Sequence, residues 1–150
     1  MGIINDIYSG MVTRLGVSAS SYTQLSYQQN IEKNKFKGNY KGYAITPLEA
    51  TEDDSVTGAF IVDHLYQITF TDGYSEGGRS QVGDELQYTR VMELNTLILE
   101  VFDDLARQKS ALGSNILVVN DLRISSPEYL DEEKTVLVSC TMNIKYKINR

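Results

Sequence analysis

One cysteine, one histidine and two prolines are spread over 150 residues. With a single cysteine, Cys140, the chain has no internal disulfide and no cysteine metal cluster. Cys140 falls among apolar residues of a strand pattern and reads as a small buried hydrophobe. That fits synthesis in a reducing compartment. The single histidine, His64, is the one histidine base for a Ser, Cys or Thr nucleophile. Its place in an alternating segment puts it on the more apolar strand face, where a structural core or edge role is expected. Were Cys140 and His64 adjacent across a sheet, Val, Ile and Tyr would flank them and no donor loop for an oxyanion is evident. No run approaches the ~18 apolar residues that cross a bilayer. The N-terminal stretch lacks the basic and continuous apolar regions of a signal peptide. Gly2 is not followed by Ser or Thr at position 6, which is Asp6, so myristoylation is not expected. Positive charge is also short: 14 Lys and Arg face 20 Asp and Glu, for a net charge of −6. This argues against a protein that binds nucleic acid by neutralising phosphates. It is compatible with one that surrounds DNA without gripping it, because an acidic wall repels the phosphates.

What is present is ordinary globular composition, 41% hydrophobic and 23% charged, expected to form one domain over residues 1–150 with a proper core. The plainest pattern is Thr135–Ile148, TVLVSCTMNIKYKI. Val136, Val138, Cys140, Met142, Ile144, Tyr146 and Ile148 alternate with Leu137, Ser139, Thr141, Asn143, Lys145 and Lys147. A period of two places these sets on opposite faces of a long, half-buried strand. Residues 59–71 alternate in the same way, with Phe60, Val62, His64, Tyr66, Ile68 and Phe70 on one face. Ile61, Asp63, Leu65, Gln67 and Thr69 lie on the other. Residues 42–50 read as its hairpin partner, which Pro47 confines to an edge or a strand end. The acidic run 52–55 is the turn between them.

Helical spacing appears twice. Ile3, Ile7, Met11 and Leu15 recur every four residues, predicting a one-sided helix of three to four turns. Gly10 weakens it by ~1 kcal/mol relative to alanine, and Gly16 is expected to stop it. Residues 84–109 carry the main helix, with Val91, Leu94, Leu97, Ile98, Val101, Phe102 and Leu105 as its apolar stripe. Asp84 and Gln87 have the shape of a capping box. Glu93, Glu100, Asp103 and Asp104 form its wet face, and Gly113 ends it. Residues 115–124 predict a third strand, with Ile116, Val118, Leu122 and Ile124 on one side and Leu117, Val119, Asp121 and Arg123 on the other. Residues 125–134 are a polar turn around Pro127. The whole predicts an α+β domain of order α-β-β-α-β-β: a mostly antiparallel four-stranded sheet with helices packed on one face.

Two segments break the pattern. Residues 17–41 form an irregular insertion rich in Ser, Gln, Asn, Lys and Tyr, and connections of that length tend to be functional. Its tyrosines Tyr22, Tyr27 and Tyr40 suit an interface, since amphipathic rings give contact area without insolubility. Residues 72–83, DGYSEGGRSQVG, form a glycine-rich arm expected to be flexible. Its spacing matches neither a dinucleotide fingerprint nor a P-loop. The acidic turns at 52–54 and 131–133 lack calcium-loop spacing. No catalytic, cofactor or metal set emerges, so the expectation is a non-enzymatic protein whose function lies in its surface. Exposed Ser139, Thr141, Asn143, Lys145 and Lys147 on one strand, and Asp63, Gln67, Thr69 and Thr71 on another, make a polar sheet face. Such a face is either solvent surface or subunit contact.

This layout resembles the tail terminator (tail completion, or head-tail joining) proteins of long-tailed bacteriophages. The resemblance rests on the short first helix with Ile3, Ile7 and Met11, the GYAITP entry to the first strand and the strand over residues 59–70. It rests also on the glycine-rich arm before a long helix and on the closing SCTMNIKYKI strand. It covers most of the chain as layout, and residues 17–41 fall outside it. It implies a structural virion protein at the tail–neck junction, made in the host cytoplasm. Such proteins form a hexameric ring on the head-proximal end of the tail tube. They end tube polymerisation and join the capsid neck, with DNA passing through the lumen unbound. The partners implied are further copies of the chain, the tail tube protein and a neck protein, with no cofactor and no membrane. Flexibility and composition put tube and neighbour contacts on Tyr74, Glu76 and Arg79 of the arm and on the 17–41 segment. Lys145 and Lys147 are further candidates from the polar sheet face. Two other readings stay open: another ring-forming neck component, such as a head-closure or adaptor protein, and a small α+β enzyme or ligand-binding domain.

Overall fold

A computed structural model describes residues 2–24, 41–53, 60–73, 83–130 and 135–148. Among these, the elements run α1 (Ile3–Ser18), β1 (Thr23–Gln24), β2 (Gly42–Asp53), β3 (Phe60–Gly73) and α2 (Gly83–Arg107). A 3-10 turn (Lys109–Leu112), β4 (Ile116–Ile124), β5 (Glu128–Leu130) and β6 (Thr135–Ile148) follow. The fold is α+β. The expected plain four-stranded antiparallel sheet is replaced by a mixed sheet of six described strands. Five follow the order β1-β2-β3-β6-β4, and β5 pairs with β6. β1 is the parallel member, beside the start of β2. β5 lies inside what the sequence presents as a polar turn. β4 and β5 use one edge of β6 in succession, β5 opposite residues 135–137 and β4 opposite residues 140–146. Pro127 sits in the gap, and the Ser125 N–H reaches the Ser139 carbonyl across it at 2.8 Å.

β3 and β6 form the spine. They pair antiparallel without interruption from Phe60 opposite Ile148 to Gly73 opposite Thr135. Period-two alternation then sets one face of both strands toward the core. Tyr66, Ile68 and Phe70 of β3 and Val136, Val138, Cys140, Met142 and Ile144 of β6 are all at most 1% exposed. Each fully buried large aliphatic or aromatic side chain of this kind contributes roughly 1.5–3 kcal/mol. Ile7, Met11 and Leu15 of α1 and Leu94, Ile98, Val101 and Leu105 of α2 close over the same face in one cluster.

Several local expectations need correction. α1 does not stop at Gly16; it runs to Ser18. The Ser18 hydroxyl donates back to the Arg14 carbonyl, and the Ala19 N–H caps the end by donating to the Leu15 carbonyl. Glu52 and Asp53 belong to β2, opposite Val62 and Ile61, rather than to a turn. Asp72 and Gly73 belong to β3 rather than to the arm. Asp104, assigned to the wet side of the main helix, is 8% exposed.

In β4 the simple alternation fails at two bulges, between Ile116 and Val118 and between Asn120 and Arg123. Each inserts one residue and shifts the faces by one. Val119, not Val118, is therefore the buried valine. Asp121 occupies the left-handed region at φ 57°, which a short polar side chain tolerates better than most. The outer sheet face is also not uniformly wet. Thr69 and Thr71, expected as exposed, are 4% and 0% exposed, and Leu137 beside them is 5%. The capping pair Asp84 and Gln87 lies outside the described side chains.

Candidate interaction site

An open cleft of about 500 Å³ runs along α2 where α1 hands over to β1 and β2. Tyr22 and Lys41 line one wall, and Met92, Glu93, Thr96, Leu97 and Glu100 line the other. Its position follows from local structure. α1 ends at Ser18 and the Tyr22 N–H closes a turn on the Ala19 carbonyl. The next two residues join the sheet edge as β1. Tyr22 is thereby held over the end of the sheet, with its ring edge-on to Phe70 at 5.9 Å. Its hydroxyl donates to Asp72 Oδ2 at 3.2 Å, and Lys41 Nζ sits 5.6 Å from its ring centroid.

Asp72 is the buried polar centre behind this wall. It is 1% exposed, and its Oδ1 accepts the Gly73 N–H at 2.8 Å. Burial pushes its carboxyl above the usual range, opposed by Lys41, Arg90 and the Tyr22 hydrogen bond. Arg90 Nε donates to the Gly73 carbonyl at 2.8 Å and its Nη1 pairs with Glu93 at 2.9 Å, tying α2 to the end of β3. Burial first, and then the Asp72 charge, pushes the Tyr22 phenol up, so it stays a neutral donor. The cleft thus offers one ammonium, two carboxylates, an aromatic wall and a methionine.

A second polar cluster lies in the core. His64 is 3% exposed. Its Nε2 lies 3.1 Å from the Leu48 carbonyl and its Nδ1 lies 3.1 Å from the Tyr146 hydroxyl. The neutral ring satisfies both, donating from Nε2 and accepting at Nδ1. β2 makes this possible: a bulge between Pro47 and Ala50 diverts Leu48 from the regular ladder, and His64 takes its carbonyl. Desolvation lowers the His64 pKa. The register also separates the one cysteine from the one histidine. Cys140 pairs with Ile68 and His64 with Ile144, four residues along β6, or about 13 Å. They form no dyad.

The candidate residues do not converge. Tyr22 lines the cleft. Lys145 lies on the opposite sheet face, where its Nζ pairs with Asp53 at 2.9 Å and with Asp63 at 3.7 Å; the Asp53 bond leads in raising its pKa. Both of these Lys145 partners belong to the same chain. Lys147 is exposed two residues further on. Tyr22 reaches Asp72 and Lys145 reaches Asp63, nine residues apart on β3, so the two sites are about 30 Å apart. Tyr27, Tyr40, Tyr74, Glu76 and Arg79 lie outside the described residues. Sequence reasoning missed Lys41, Asp72 and the outward side of α2, where Tyr88, Met92 and Leu99 are 68%, 54% and 56% exposed. The last had a legible signal, because these apolar residues recur at helical spacing on the side away from the core.

No protein-family model matches this sequence, and a search of curated proteins finds no match to it.

Proposed function

We propose that this chain is a structural ring component that caps the head-proximal end of a phage tail tube, ends its polymerisation and forms the joint to the neck. The observation that carries this reading is the fourteen-residue ladder between β3 and β6. Strands in globular domains are typically ~5–6 residues long. A ladder more than twice that length is a stiff wall, and a ring around a DNA channel needs one. The wall has a greasy side under the helices and an outer side with Asp53, Asp63, Asn143, Lys145 and Lys147, whose charges are partly cancelled within the subunit. The net charge of −6 favours passage of a duplex over binding it. The element order, with a short first helix, paired strands, a long helix and a closing strand, is the layout on which the resemblance to tail terminators rests.

Light scattering on the purified chain with tail tube protein tests the reading. Ring-sized assemblies that localise to tube ends in negative-stain images support it. A chain that stays monomeric with tube protein present contradicts it. Rings that ignore tube ends but bind the capsid vertex assign the chain to the neck instead.

A further inference from the structure

We draw no further inference here: the strongest candidate, the open cleft along α2 between Tyr22 and Lys41 on one wall and Glu93 and Glu100 on the other, carries charges of both signs with Glu93 already paired to Arg90, and nothing in the structure shows what covers it.

Discussion

Arg14 and Asp104 join the two helices through a two-pronged ion pair, Nη2 to Oδ1 at 2.6 Å and Nε to Oδ2 at 3.0 Å. They are 90 residues apart in sequence, so the pair fixes how α1 lies against α2. The Arg14 hydrogen bond holds the Asp104 carboxyl below the usual carboxylate range. A depressed folded-state pKa stabilises the protein at pH values above the unfolded carboxylate value of ~4, and that stabilisation is lost as pH falls through the folded value. Arg14→Met should therefore lower the melting temperature at pH 7 by a few degrees and narrow the gap to the parent below about pH 4. Differential scanning calorimetry across that range checks it; an unchanged melting temperature at pH 7 contradicts it.

His64 gives a dependence of the same sign at higher pH. Its folded-state pKa is lowered by burial, so it contributes stability above the unfolded value of ~6.5, and this is lost on acidification below that. Protonation would also put a donor at Nδ1 facing Tyr146 Oη and force that hydroxyl to turn. Urea midpoints should fall from pH 7.5 to pH 5. The His64→Gln variant should show a flatter profile over the same interval. Parallel profiles for the two proteins would remove His64 as the cause.

Gly10 and Gly16 lie on the same helix and should respond oppositely to alanine. A Cβ on Gly10 would stand 2.3 Å from the Ala111 carbonyl oxygen and 2.8 Å from Leu112 Cα, both backbone atoms. The 3-10 turn docks there, so Gly10→Ala should destabilise by ~1–3 kcal/mol despite its better helix propensity. A Cβ on Gly16 meets nothing within 4 Å, so Gly16→Ala should stabilise by up to ~1 kcal/mol. Chemical denaturation of both variants decides it, and equal effects would contradict the packing.

Cys140 should be inert in the folded protein. It is 1% exposed and burial pushes its thiol up to about 12. A thiol reagent at pH 8 should label it only at the rate of unfolding. Rapid labelling of the native protein would contradict its place between Ile68 and the helices.

The spine was legible because alternation over fourteen residues admits one reading: Val136 to Tyr146 and Val62 to Phe70 fall where their period places them. The inner stripe of α2 was legible for the same reason at a period of 3.6. What escaped depends on contacts distant in sequence. Asp104 looks like a solvent residue until Arg14 arrives from α1. Asp72 looks like loop until Tyr22 and Gly73 satisfy it. The bulges of β4 shift Val119 inward by a backbone irregularity that alternation does not register. β1 is too short for any period, and its parallel pairing follows from where α1 ends. Tyr22 stood out in the sequence as an aromatic in a polar segment, but its hydrogen bond to Asp72 and its ring contact with Phe70 did not, and Lys145 looked free because its partners Asp53 and Asp63 come from two other strands.

Growth of tail tubes in the presence of this protein tests the central claim most directly. Tube protein is polymerised with and without it, and lengths and ends are scored in negative stain. The account predicts that elongation stops, with ring density on one end of each tube. Tubes that lengthen at the control rate with bare ends would contradict it.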